Sequence, residues 1–191
     1  MGAFFTDDDW RVLAAAADLV IPPDPLTGAP GGATGGVVHY LDQLLGAFTY
    51  DPPRIWAGGP FSGRHGGDAS FGNWFALRPV DELAWRTRVE GSLGRSEREV
   101  NGPTVGLQEH YRAGLASLGP DFADLSLEQQ QERLHAVPDG FRERLYAHAC
   151  EALYGDPVYG GNRQGSGWAS IGFPGDVQPR GYTDDEVRGD P

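Results

Sequence analysis

The side chains best able to do chemistry in this 191-residue chain are five histidines and one cysteine: His39, His65, His110, His135, His148 and Cys150. Glu132 and His135 stand in the E-x-x-H spacing that puts a carboxylate and an imidazole on one helix face, where a metal ion can be held. A di-iron bundle needs a second such pair and two more glutamates, and no second E-x-x-H occurs. His148 and Glu151 give only the reverse order, H-x-x-E. Surface hydrogen bonds or salt bridges on a helix account for both pairs. A small self-sufficient metal-binding protein or enzyme built on Glu132 and His135 is the alternative reading.

Other chemistries are excluded by missing residues. All 15 basic residues are Arg. Without Lys there is no Walker A phosphate loop and no Schiff-base or pyridoxal-phosphate chemistry. Neither an H-E-x-x-H zinc motif nor a G-x-S-x-G nucleophile elbow is present. Gly165-Ser166-Gly167 lacks the third glycine of a dinucleotide fingerprint and follows no strand pattern. One cysteine cannot form an intrachain disulfide or a C-x-x-C site, and the helical spacing points it inward as an inert thiol. A net charge of −12 disfavours nucleic acid and anionic membrane surfaces. No apolar run reaches the roughly 20 residues of a membrane span, so no direct membrane insertion is expected. On these grounds no catalytic residue, cofactor site or metal site is expected on the chain itself.

Six helices follow from spacing and punctuation, and the expected fold class is all-α: an irregular single domain over 1–191 of five or six helices joined by long ordered loops. Thr6 and Asp9 form a capping-box pattern ahead of Trp10, Leu13, Ala14, Ala17, Val20 and Ile21, and Pro22-Pro23 stops that helix. A second runs over 37–48 with Val37, Leu41, Leu44, Leu45 and Phe48 on one stripe. Further helices are expected over 80–91 (Val80, Leu83, Ala84, Thr87 aligned), 104–118 (Leu107, Tyr111, Leu115, Leu118) and 126–137. The last of these opens on a Ser126–Gln129 capping box and turns Leu127, Leu134 and Val137 inward. A long helix over 139–154 carries Phe141, Leu145, Ala149 and Ala152 or Leu153. No strand pattern stands out.

The 29 glycines and 15 prolines are close to double the usual share, yet 11% of the chain is aromatic, which rules out a disordered reading. Two stretches concentrate both features. Residues 50–78 hold Trp56, Phe61, Phe71, Trp74 and Phe75 among turn residues, the mark of an ordered aromatic excursion rather than a linker. Residues 154–175 (YGDPVYGGNRQGSGWASIGFPG) contain seven glycines, among them Gly160 and Gly161, which permit positive φ and close backbone approach. Between the glycines stand Asp156, Pro157, Tyr159, Asn162, Arg163, Trp168, Phe173 and Pro174. Asp156-Pro157 suits a turn start, and Asp156 with Arg163 suits a buried ion pair ordering the loop. A Gly-rich tail packed on its own helices is the bland reading. Docking of another protein is the functional one, since aromatics and Arg favour interface centres.

The run DPVYGGNRQGSGWASIGFPG resembles the signature of the gluconate 2-dehydrogenase subunit 3 family. The resemblance continues through LAAAADLVIPPD (13–24), GGVVHYLDQLL (35–45) and YRAGLASL (111–118) followed by FADLSLEQQQERL, all in order. Residues 50–102 are the least family-like part and are expected to be a subfamily insertion, with 155–191 a wrapping C-terminal loop and tail. The resemblance implies a non-catalytic small subunit paired with a large flavoprotein of the glucose–methanol–choline oxidoreductase type, a sugar or polyol dehydrogenase that holds FAD and substrate. The small subunit then helps its partner fold, load flavin or be exported. Trp56, Phe61, Phe71, Trp74, Asp156, Pro157, Tyr159, Gly160, Gly161, Asn162, Arg163, Trp168, Phe173 and Pro174 are the expected contact residues, with Trp168, Tyr159 and Phe173 as anchors and Asn162 and Arg163 as polar clamps. Many members of the family carry a twin-arginine signal. Here the start, MGAFFTDDDW, is acidic and no Arg-Arg pair occurs, so a cytoplasmic chain, exported only if carried by its partner, is the expectation.

Overall fold

The computed structural model describes residues 2–58, 75–138 and 140–175. Eight α-helices lie among them: α1 (Asp7–Val20), α2 (Gly32–Gly35), α3 (Val37–Leu45), α4 (Pro79–Glu90), α5 (Leu107–Leu118), α6 (Leu127–Ala136), α7 (Phe141–Tyr154) and α8 (Ser166–Ser170). The fold is mostly helical, as the spacing indicates. A two-stranded antiparallel ribbon, β1 (Trp56–Gly58) and β2 (Phe75–Ala76), closes the ends of the aromatic excursion, pairing Trp56 with Ala76 and Gly58 with Phe75.

Both sequence-read capping boxes form. Thr6 Oγ1 accepts from the Asp9 N–H while Asp9 accepts from the Thr6 N–H, and Ser126 and Gln129 repeat the exchange at the head of α6. These reciprocal bonds satisfy backbone donors that a first helical turn otherwise leaves open. Helices α1, α3, α5 and α7 then enclose one core. Leu13, Ala16 and Ala17 meet Val37, Leu41 and Leu45, and Tyr111, Leu118, Phe141 and Leu145 fill the remaining volume. Small alanines on α1 let α2 and α7 come close.

Some expected faces are rotated or shifted. On α1 the deepest residues include Val12 and Ala16, while Trp10, Ala14, Val20 and Ile21 pack at the margin. Leu127 of α6 is exposed; Leu134 is the residue of that helix that reaches the core. α4 departs most from its expected stripe. Val80 and Ala84 face solvent and Val89 is the one buried residue of the helix. Arg86 instead bridges Glu82 (2.7 Å) and Glu90 (3.2 Å) along its surface. The fifth helix begins at Leu107 rather than 104, because Thr104 is tied back to Ser92 by N–H to Oγ (3.0 Å) and by Ser92 N–H to Thr104 carbonyl (2.9 Å) bonds. α2 and α8 exceed the expected helix number. Both are short, and GATG and SGWAS give too few positions for a periodic signal.

Candidate partner interface

The C-terminal segment, 155–175, is built from the end of α7 outward. Asp156 Oδ1 accepts the Val158 N–H at 3.0 Å and so starts a 3-10 turn, Pro157–Tyr159. Gly160 reverses the chain at φ 92°. Two glycines then let the segment lie flat on α7: a Cβ on Gly161 would strike the Ala152 carbonyl, and one on Gly167 the Leu153 carbonyl.

Asn162 holds this arrangement together. It is fully buried and sits at φ 44°, a left-handed conformation that Asn tolerates better than most residues. Its Nδ2 donates to the Gly155 carbonyl (2.9 Å), and its Oδ1 accepts from the N–H groups of Gly167 (2.9 Å) and Trp168 (3.4 Å). One amide therefore closes the loop and also caps α8. Trp168 is turned inward as well: its indole N–H donates to the Tyr154 carbonyl at 2.8 Å, and its ring meets that of Phe173 edge-on at 5.2 Å.

The two residue types expected as contacts thus separate. Asn162 and Trp168, read as clamp and anchor for a partner, are buried in the chain itself and shape the loop. Tyr159 (40% exposed), Phe173 (39%), Arg163 and Pro174 remain at the surface. Ile171, 59% exposed between Trp168 and Phe173, joins them and was missed by the sequence reading, since a lone aliphatic residue beside glycines has no periodic signature. The expected Asp156–Arg163 ion pair does not form: Arg163 is exposed and Asp156 caps the turn.

Trp56, from the aromatic excursion, comes against this segment. With Asp156 and Tyr159 it lines a groove of about 560 Å³ that also touches Tyr40 of α3 and Trp85 of α4. Cys150 is half-buried and lies in the same wall rather than in the core, because α7 turns that position past the packed stripe. Tyr40 donates to Glu151 Oε2 at 2.9 Å, and burial with the neighbouring carboxylate pushes its phenol well above the usual tyrosine range. Phe61, Phe71 and Trp74 lie outside the described residues.

His65 lies outside the described residues, and the other histidines form no metal-holding cluster. Glu132 and His135 are both exposed on α6, and among the described residues no three His, Cys, Asp or Glu side chains converge to hold a metal ion. His148 is buried with Nδ1 2.8 Å from the Tyr111 hydroxyl, and desolvation lowers its pKa below the ordinary histidine value. It serves as a satisfied polar group of the core.

No curated protein and no solved structure matches the chain. The family model described as gluconate 2-dehydrogenase subunit 3 matches residues 7–175, from the first turn of α1 through the whole C-terminal segment. The chain therefore belongs to the gluconate 2-dehydrogenase subunit 3 family.

Proposed function

We propose that this chain is a non-catalytic small subunit that binds and stabilises a large FAD-dependent dehydrogenase acting on a sugar or polyol, assisting its folding, flavin loading or export. Family membership across 7–175 carries the reading. The geometry supports it in one respect: Tyr159, Ile171 and Phe173 stay exposed on a loop whose backbone is held by Asn162 and Trp168. Apolar side chains fixed in advance lose little conformational entropy on association. In this reading the flavin belongs to the partner, which supplies the hydride chemistry.

Co-expression with a candidate FAD-dependent dehydrogenase from the same genome, followed by affinity capture and gel filtration, tests the proposal. A stoichiometric complex is expected, and the flavoprotein made alone should be poorly loaded or insoluble. Replacing Tyr159 and Phe173 together by Ala should weaken association by ~2 kcal/mol or more, as for interface hot spots. A flavoprotein that is soluble, fully loaded and free of this chain would overturn the proposal.

A further inference from the structure

His148 is 3% exposed in the core, yet an imidazole is the side chain that gains a charge just below neutral pH. Its Nδ1 stands 2.8 Å from the Tyr111 hydroxyl, and the two rings stack with centroids 5.8 Å apart. Tyr111 is fully buried, and burial raises its phenol above the usual tyrosine range. Its hydroxyl has no other partner among the described residues. The phenol therefore donates and Nδ1 accepts, which leaves the imidazole hydrogen on Nε2. A second proton has to go to Nδ1, where it meets the phenol hydrogen. Tyr111 must then turn that hydrogen away with no acceptor placed to take it.

The surroundings do not offset the added charge. His110 stands beside Tyr111 on α5, and it acts against an imidazolium together with Arg88 of α4 and Arg144 of α7. Glu151, one turn along α7, favours the charge, but that carboxylate already accepts from Tyr40 of α3 at 2.9 Å. Asp42, the buried carboxylate of α3, is taken up by the N–H groups of Ala3, Phe4 and Phe5, and His39 of the same helix meets Gln43 and Trp10. The buried face of α1 is apolar (Val12, Leu13, Ala16, Ala17), and α2 and α8 contain no ionisable side chain. Burial outweighs Glu151 and holds the His148 pKa below the ordinary histidine value.

The stretch of α7 that follows His148 is also the floor of the C-terminal segment. Gly161 lies on the Ala152 carbonyl and Gly167 on that of Leu153, while the Trp168 indole N–H donates to the Tyr154 carbonyl. We propose that the Tyr111–His148 contact is an acid-sensitive joint: proton uptake by His148 loosens α7 from α5 and frees the C-terminal segment laid on the end of α7. His148 binds its proton more weakly in the closed joint than in an opened one. Closure is therefore fully stabilised above about pH 6.5, the ordinary histidine value, and weakens as pH falls below it. Under the subunit reading above, on which this last step rests, acid loosens the docking loop and releases the partner.

Hydrogen exchange of the purified chain, followed by mass spectrometry at pH 7 and pH 5 and corrected for the intrinsic rate, reads the joint. Protection over α7 and over 155–175 should fall severalfold together, toward a ceiling of roughly 25-fold for one histidine across that interval. His148→Asn keeps an acceptor oxygen for Tyr111 and does not titrate there, so 155–175 should lose far less protection. A pH-independent 155–175 in the wild-type chain, or an equal fall in the variant, overturns the joint. Imidazole nitrogen NMR of the wild-type chain gives a second reading that does not depend on the variant folding. His148 should carry its hydrogen on Nε2 at pH 7 and take up a proton below pH 6.5; the Nδ1–H tautomer, or titration at or above that value, overturns the joint as well. Capture of the flavoprotein at both pH values separates this inference from the one beneath it. A complex that holds equally well at pH 7 and pH 5 overturns partner release. If none forms at pH 7, the subunit reading fails, and the exchange data alone decide the joint.

Discussion

Two irregular segments of the molecule, the α4–α5 connection (91–106) and the C-terminal segment (155–175), are each closed around one buried polar side chain. In the first it is a cation. Arg98, 2% exposed at its side chain, donates from Nη1 to the Gly91 carbonyl (3.0 Å) and pairs through Nη2 with Glu90 (3.0 Å), while its buried Nε has no partner among the described residues. In the second it is a neutral amide, Asn162, whose oxygen and nitrogen are both engaged by backbone groups. Both carry backbone strain: Asn162 takes its left-handed φ of 44° with a residue suited to it, but Gln164 beside it stands at φ 56°, and the connection puts a leucine, Leu93, at φ 53°. A neutral clamp carries little desolvation cost and holds a loop tightly; a charged one must first offset the removal of two ions from water. The segment bearing the exposed Tyr159, Ile171 and Phe173 has the better clamp, which suits the docking role proposed for it.

Asn162→Leu should therefore give the largest loss. It strands the Gly155 carbonyl and two amide N–H groups in a buried place and forces a bulky residue into left-handed backbone. Each unsatisfied group costs on the order of 1–3 kcal/mol, so a total of about 3 kcal/mol or more is expected. Denaturant unfolding of the isolated chain measures it. A loss below ~1 kcal/mol would remove the basis for calling this segment the firmer of the two.

Arg98→Met should cost less, about 2 kcal/mol. Breaking a fully buried ion pair costs roughly 3–5 kcal/mol. Glu90, however, is 22% exposed and keeps Arg86 at 3.2 Å, so its charge is not abandoned. The methionine stem also preserves the packing. If Arg98→Met proves more damaging than Asn162→Leu, the ranking of the two clamps is inverted.

What the sequence disclosed follows the reach of each interaction. The Thr6–Asp9 and Ser126–Gln129 boxes span three residues and are readable from those residues alone. The stripes of α5 and α7 span one helix and were equally plain, because every expected apolar position on α5 is buried. Asn162 marks where this legibility stops. Its place among glycines signals a special backbone, but whether the amide faces a partner or its own chain depends on a carbonyl seven residues back and a first-turn N–H of α8 five residues ahead. The groove lies further out of reach, since Tyr40, Trp56, Trp85 and Tyr159 meet only when α3, the ribbon, α4 and the C-terminal segment have packed. α4 misled for a related reason. Its apolar residues look like a core stripe, yet Val89 is its one buried residue and Arg86 runs along its surface between Glu82 and Glu90.

The smallest effect should come from Leu93→Gly, and its sign sharpens the comparison. Leu93 is 64% exposed, so removing its side chain forfeits little burial. Its φ of 53° is a conformation that leucine adopts only at a cost and glycine adopts freely. Relief of that strain is worth about 1 kcal/mol, set against a similar entropy penalty for the freer unfolded glycine. The two nearly cancel, leaving a change within about 0.5 kcal/mol, whereas glycine at a strand or helix interior site would destabilise by more. A near-neutral result by thermal unfolding means that the connection tolerates loss of this residue and that the strain there is local. A loss above ~1.5 kcal/mol would mean instead that the exposed leucine supports the Arg98 clamp through packing, and the connection would then be as tightly determined as the segment that Asn162 holds.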